Sequence, residues 1–309
     1  MQLIRTIHNH KSNDIRSVAT IGNFDGVHLG HQVVINKINQ QSKALKLPSM
    51  VIAFEPSAKE FFQKNKAPAR LTSFREKFSL IKNFSIDQLV CLKFNHSLAS
   101  MPAESFIRNI LVDTLRIKHL TVGDNFRFGK DRKGDFELLK HYAEKLDYHV
   151  EDTESFIANG KRVSSTLIRE YLSNGELDKA KTMLGRDYSM SGHVIHGDKK
   201  GRTIGFPTAN IPVRRINCAV SGVFAVKILI NNNEYHGVAN VGHRPTVGGT
   251  RTQLEVHIFK FSKQIYGEFL NITFCKKLRD EKKFDSFEDL KNQIMQDSQS
   301  AQDYFGIAA

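Results

Sequence analysis

Residues 22 to 31 read Gly-Asn-Phe-Asp-Gly-Val-His-Leu-Gly-His, directly after the apolar run Val18-Ala19-Thr20-Ile21 and directly before a long helical pattern. That layout suits a bound phosphate. Glycines at 22, 26 and 30 let the backbone turn sharply and approach an anion, and the next helix begins with open N–H groups and the positive end of its dipole. His28 and His31, three apart, can turn both rings to one anion and stabilise charge at a phosphorus under attack, with no covalent intermediate. A zinc pair is the competing reading, because the same spacing suits a metal, although no Glu-x-x-His-type third ligand accompanies the two rings. A helix-capping pair is the third reading. Within the cradle, Gly22, Asn23, Phe24, Asp25 and Gly30 are the candidate nucleotide contacts.

Two further segments could serve the same site. Val122-Gly123-Asp124-Asn125-Phe126-Arg127-Phe128-Gly129 follows a strand pattern, where open α/β sheets form their ligand crevices, and it offers an amide, two aromatics and a guanidinium. A plain loop with two core phenylalanines is the alternative. It is not a Walker A loop, since Asp131 stands where Ser or Thr is needed. Ser164-Ser165-Thr166-Leu167-Ile168-Arg169 puts hydroxyls at a helix start and a guanidinium one turn on, suited to capping and to phosphate contact through Ser164, Thr166 and Arg169.

These segments need elements to hold them. From residue 17 to about 150, short β-rich runs (17–21, 50–54, 88–93, 119–122) alternate with helical patterns (32–45, 73–83, 102–111, 137–146), which predicts a parallel sheet covered by helices. Two short helices follow at 164–172 and 176–184, separated by Asn174-Gly175, a stop signal. Beyond Gly185 the pattern changes to strands at 190–196, 223–230, 235–241, 254–261 and 269–274 with an Asn231-Asn232-Asn233 turn, which predicts an antiparallel barrel. An amphipathic stretch at 287–304 should be a helix packed on it. The fold class is therefore α/β, a Rossmann-like domain over 1–184 followed by a β-barrel domain with a C-terminal helix over 185–309.

Composition narrows the function classes. With 309 residues and 40% hydrophobic content the chain can bury two cores. No apolar stretch approaches the ~20 residues of a membrane span, so a cytoplasmic protein with no membrane partner is expected. Cys91, Cys218 and Cys275 are odd in number and far apart, which argues against a disulfide framework or a zinc site. A formal net charge of +13 points to anionic partners. Its clusters, at 130–133 and 199–202, come without a basic arm or an aromatic RNA-binding signature, so a merely solvated surface is the first reading, and among partners small phosphorylated molecules are expected in preference to nucleic acid.

Four segments in register, 22–31, 123–129, 164–169 and Gly201-Arg202-Thr203-Ile204-Gly205-Phe206-Pro207-Thr208-Ala209-Asn210, resemble the bifunctional bacterial riboflavin kinase/FMN adenylyltransferases, or FAD synthetases. The resemblance covers essentially the whole chain. It implies that the first domain joins AMP from ATP to FMN with pyrophosphate leaving, through His28 and His31, with Asn125, Phe126, Arg127 and Phe128 on the flavin side. It implies that the second domain phosphorylates riboflavin. There Gly201 and Gly205 frame a basic phosphate loop, and Thr208 and Asn210, two apart in an extended segment, are hard oxygen ligands for Mg²⁺. Glu255 lies in Leu254-Glu255-Val256-His257-Ile258, where alternation sets it opposite Leu254 and lets it take a proton from a primary alcohol. In the family the matching Glu is the base; read from the residues alone, an ordinary exposed strand glutamate is the alternative. Riboflavin, FMN, FAD and ATP are the implied ligands, and a monomer or weak homo-oligomer the expected state.

The chain departs from the family pattern at Ser57 and Ala58, where a histidine or glutamine and then a proline are common after Phe-Glu-Pro. It also departs at Asn125 (often Asp), Asp187 (usually Pro) and His243 (often Thr or Asn). A class I aminoacyl-tRNA synthetase fragment would share the histidine signature, a nucleic-acid-binding protein would share the charge, and a flavin sensor could retain one active domain.

Overall fold

A computed structural model describes residues 1–5, 15–197, 205–213, 215–246 and 249–308. They form two compact units, Met1–Pro68 with Phe74–Ser165, and Ala69–Ser73 with Thr166–Ala309.

In the first unit, strands β1 (Gln2–Ile4), β2 (Ser17–Ile21), β3 (Ser49–Glu55), β4 (Gln88–Lys93), β5 (Ile117–Gly123) and β6 (His149–Thr153) make one sheet in the order β1-β4-β3-β2-β5-β6. Every pairing is parallel. Parallel neighbours need crossovers, and the helices α1 (Leu29–Leu45), α2 (Ala58–Gln63), α3 (Phe74–Lys82), α4 (Phe106–Thr114) and α5 (Phe136–Lys145) lie in those connections. All five residues of β2 are buried, as befits a central strand covered on both faces. Alternation splits it between two cores: Ala19 and Ile21 pack with Ile52, Ile107 and Leu120, while Val18 packs with Ile35, Ile38 and Val51.

The strand order carries the functional consequence. From β2 the chain steps outward through β3 and β4, and β5 then returns to the opposite side of β2. Such a reversal opens a crevice beyond the carboxyl ends of the two strands. Thr20 pairs with Thr121 just before those ends, so the segments beginning at Gly22 and Gly123 leave the sheet side by side.

In the second unit, helices α6 (Ser165–Ser173) and α7 (Leu177–Leu184) are separated by Gly175 at φ 76°, in line with the Asn-Gly stop signal. Strands β9 (Ser189–His193), β10 (Ala209–Pro212), β11 (Gly222–Ile230), β12 (Asn233–Thr246), β13 (Gly249–Ile258) and β14 (Phe269–Arg279) follow, numbered after a small hairpin in the first unit, β7 (Ile157–Ala158) with β8 (Lys161–Arg162). Their order is β10-β13-β12-β11-β14-β9, antiparallel throughout. A bridge between Ile195 and Asn210, with the Ile195 N–H donating to the Asn210 carbonyl at 2.8 Å, ties the end strands together into a nearly closed barrel. The β11–β12 hairpin turns through Asn231 and Asn232, both with positive φ (48° and 65°), the backbone a tight two-residue turn requires and asparagine tolerates.

Helix α8 (Phe287–Phe305) packs on this barrel. Ser286 caps its start by accepting from the Asp289 N–H at 3.1 Å. Its buried Asp297 takes a forked pair of bonds from Arg279 on β14, at 2.9 and 2.7 Å, and Ala301 joins the cluster of Val223, Ala225, Val238 and Phe259.

Candidate active sites

The cradle after β2 is built by two buried anchors. Phe24 and Val27 turn their side chains into the core cluster that contains Ile35 and Ile38, while their backbones take φ of 48° and 41°. A left-handed conformation is costly for a β-branched valine, and strain of that kind concentrates at functional sites. Asn23, just before Phe24, is exposed, and the Asp25 carbonyl accepts from Ser165 Oγ at 2.9 Å. Helix α1 starts at Leu29, three residues before the run 32–45 expected from the sequence, because His28 caps it: His28 Nδ1 accepts from the His31 N–H at 3.3 Å.

That cap fixes the two rings against each other. Their centroids lie 3.6 Å apart with planes inclined by 16°, and Phe24 closes on His31 at 5.0 Å. Gly30 permits the stack, since a Cβ there would press on His28 Nδ1 at 3.3 Å. With Nδ1 used as an acceptor, a neutral His28 ring carries its proton on Nε2. His31 Nδ1 is buried with no hydrogen-bond partner among the described residues. An orphaned polar atom at a helix N-terminus is what an anion would satisfy.

Burial, reinforced by His28 and by Lys77, holds His31 well below the ordinary imidazole range. In the unfolded chain the ring protonates near the ordinary imidazole value of about 6.5. The unfolded state therefore binds more protons than the folded one below that pH, and stability falls as pH drops through it toward the lower folded value. Melting curves taken from neutral to mildly acidic pH should show this slope, and His31→Gln should flatten it. His119 and His257, also held low by burial, add to it. An unchanged slope in the variant would remove His31 as a source.

The loop after β5 divides its predicted residues. Asn125 and Arg127 are exposed, with Asn125 donating to Asp124 at 3.0 Å, and Arg162 and Ser155 hold the same carboxylate at 2.8 and 2.5 Å. Phe128 lies in the core, and Phe126 stacks on it at 5.4 Å. The core-phenylalanine reading thus describes Phe128, which anchors the loop. In the second unit Arg169 donates through Nε to the Ala69 carbonyl, and Thr166 is exposed.

An aromatic group at the ends of β3 and β4 was not singled out from the sequence. Phe61 meets Phe94 at 5.4 Å and His96 at 4.9 Å, Phe54 meets Phe94 at 5.9 Å, and Phe62 remains 64% exposed. Three separate segments contribute, so no local pattern announces it. The departure at Ser57 has a role here: Ser57 Oγ accepts from the Glu60 N–H at 3.3 Å while its own N–H donates to Glu60 Oε2 at 2.9 Å, a capping box that starts α2. Asp187 pairs with Lys181 at 3.0 Å on the surface.

In the barrel, the register sets Glu255 directly opposite Asn210 on β10 and opposite Asn240 on β12. Directly opposed residues share a sheet face. Leu254, Val256 and Ile258 are buried on the other face, as the alternation predicts. Asn210 is buried; its Oδ1 accepts from Gln253 Nε2 at 2.5 Å and its Nδ2 donates to the Thr208 carbonyl at 3.3 Å. A Cβ on Gly197 would collide with that amide. His257 Nδ1 donates to the Pro207 carbonyl at 2.9 Å, tethering the Thr208 segment to β13. Sequence reading missed Asn240 and Gln253, which are brought in by cross-strand register. Gly205 is exposed with φ 84°, whereas Gly201 lies outside the described residues.

An α/β unit with paired imidazoles at a helix N-terminus, together with a nearly closed antiparallel barrel carrying an amide-flanked carboxylate, defines a two-unit phosphate-handling transferase. Residues 10–167 match the FAD synthetase family model and residues 184–305 the riboflavin kinase model. Bifunctional riboflavin kinase/FMN adenylyltransferases of Haemophilus influenzae and of Escherichia coli K12 are 45% and 43% identical, each over 99% of both chains. A Streptococcus pneumoniae structure described as a macrolide-efflux protein superposes with a TM-score of 0.81 at 29% identity, covering 98% of this chain and 99% of that one. The chain belongs to the bifunctional riboflavin kinase/FMN adenylyltransferase family, and it is an ATP-using enzyme of FAD biosynthesis. No helix among the described residues is long and apolar enough to cross a membrane.

Proposed function

We propose that His28 and His31 carry adenylyl transfer and that Glu255, with Thr208 and Asn210, carries riboflavin phosphorylation, with the functional boundary at residue 185. In the first reaction a phosphate oxygen of FMN attacks the α-phosphorus of ATP. The new O–P bond forms as the α–β bridging bond breaks, and pyrophosphate leaves. The His28 Nε2 proton and the His31 ring meet the charge that develops on the phosphoryl oxygens, and the open N–H groups of α1 add to it. The buried, unpartnered His31 Nδ1 is the observation that carries this reading. Phosphate is favoured over the zinc pair because no third ligand joins the two rings among the described residues.

Gly22, Asn23, Phe24, Asp25 and Gly30 shape this nucleotide site, and Ser164, Thr166 and Arg169 are proposed phosphate contacts. The loop 125–128 and the Phe54, Phe61, Phe62 and Phe94 group offer an exposed amide, a guanidinium and flat apolar surface suited to an isoalloxazine ring. Phe128 serves by anchoring.

In the barrel, Glu255 removes the proton of the riboflavin primary alcohol as its oxygen attacks the γ-phosphorus of ATP and ADP leaves. Thr208 and Asn210 present a hydroxyl and an amide oxygen, a donor set that fits Mg²⁺, which when bound neutralises phosphate charge. Gly201 and Gly205 are the proposed phosphate-loop residues. The enzyme is read as cytoplasmic, a monomer or weak homo-oligomer, with its +13 charge serving anionic nucleotides and not nucleic acid.

Incubation of the purified protein with riboflavin, ATP and Mg²⁺ should yield FMN first and then FAD on chromatographic separation. FMN without FAD would count against the assignment of the first domain.

A further inference from the structure

Strands β5 and β6 of the first unit bring together His119, His149 and Glu151, whose ligand atoms all lie within 4.8 Å of one another. It is the one such group of histidine, cysteine and carboxylate side chains among the described residues. The register explains the convergence. His119 pairs with His149 across the two parallel strands, and Glu151, two residues on, shares their face opposite Thr121. His119 Nε2 stands 3.1 Å from Glu151 Oε1, and the two imidazole centroids are 4.8 Å apart.

We propose that His119, His149 and Glu151 form a binding site for a zinc-class divalent ion at the edge of the first unit's sheet, with the fourth position open to water. The donor set decides the class of ion. Two imidazoles and one carboxylate suit Zn²⁺, Co²⁺ or Ni²⁺, whereas Mg²⁺ selects an all-oxygen shell. The distances support it. Around a tetrahedral zinc with bonds of about 2.0–2.1 Å, neighbouring donor atoms stand roughly 3.3 Å apart. The His119–Glu151 pair is already close to that, and His149, exposed on the edge strand, needs only a side-chain rotation to close on them.

Glu151 is bonded from three sides, by His119, by Lys37 and by Thr121 Oγ1, which donates to Oε1 at 3.0 Å. To bind, the His119 ring exchanges its Nε2–H tautomer for the Nδ1–H one, and Glu151 Oε1 turns from acceptor to ligand with no net loss of protons. Lys37 opposes the ion: its ammonium, on α1, sits 2.9 Å from Glu151 Oε2. The carboxylate would then bind through one oxygen while Lys37 keeps the other. Strand β6 has β5 as its one neighbour in the sheet, so an ion shared by both strands clamps the sheet edge.

Titration of the full-length protein with Co²⁺, followed by the visible bands of a tetrahedral site and by displacement with Zn²⁺, tests the proposal. One equivalent should bind, and Mg²⁺ should not compete. His149→Ala should weaken binding by at least about tenfold, given that even outer-shell partners are worth 10–100-fold, while Lys37→Met should tighten it. A network that is merely structural predicts no tightening. Zn²⁺ should raise the Tm of the wild type but not of His149→Ala, whose metal-free melt reports that it folds. Equal affinity in wild type and His149→Ala, or loss of the Co²⁺ bands in His28→Ala instead, overturns the site.

Discussion

A His28→Ala enzyme is expected to form FAD from FMN and ATP roughly 10²–10³-fold more slowly, the usual loss when a preorganised donor to a developing charge is removed. Riboflavin phosphorylation in the same protein should be unchanged. His28 has a second job that could mimic this result, since its Nδ1 caps α1 by accepting from the His31 N–H. Losing the cap costs about 1 kcal/mol of stability and could loosen the stacked pair. His28→Asn separates the two roles, because an asparagine side chain can accept from a helix N–H but offers no imidazole. The alanine variant should melt at a lower temperature than the asparagine variant, yet both should lose adenylyl transfer to a similar extent. Recovery of activity in His28→Asn would make His28 a positioning residue only. Equal losses of kinase and adenylyltransferase turnover would sink the assignment of separate sites.

The parts of the fold legible in the sequence were those whose signal is local. The apolar run 17–21 became β2, the stretch predicted as a helix at 287–304 became Phe287–Phe305, and the asparagine turn after residue 230 closed a hairpin. Strand β1 escaped notice because three residues paired in parallel with β4, more than eighty positions away in the chain, leave no local trace. Strand β6 reads His-Val-Glu-Asp-Thr with a single buried valine, so its edge position removed the alternation that would mark it. Helix α4 takes π-type winding, with the Leu115 N–H donating to the Ile110 carbonyl, which a 3.6-residue period does not anticipate. The same distinction governs the sites. The glycine and histidine cradle is contiguous and could be read directly, and Glu255 followed from a two-residue alternation. The amides of Asn240 and Gln253, the Phe54, Phe61 and Phe94 group, and the His119, His149 and Glu151 cluster depend on register between strands or on convergence of distant segments. Such neighbours exist only once the chain is folded.

Glu255→Gln is expected to suppress FMN formation from riboflavin by about 10²–10⁴-fold, the range associated with a positioned general base. FAD formation from supplied FMN should be spared. The substitution is nearly isosteric, and the cross-strand partners Asn210 and Asn240 can still find an amide oxygen opposite them. The loss should therefore fall on kcat, with the KM for riboflavin little changed, because the shape of the site is kept and proton acceptance is not. The size of the effect bears on mechanism as well as assignment. Phosphoryl transfer passes through a loose transition state in which the attacking oxygen has formed little bond, so most of the barrier can be met by positioning and charge neutralisation. If turnover falls by less than about tenfold, the proton leaves late or to a phosphate oxygen, and Glu255 acts through orientation of the alcohol. Asn240→Ala distinguishes these cases. A residue that merely steers the carboxylate from the neighbouring strand should lower kcat modestly when Glu255 is present and have no further effect once it is glutamine. Additive losses in the double variant would mean that Asn240 serves the kinase site independently of Glu255.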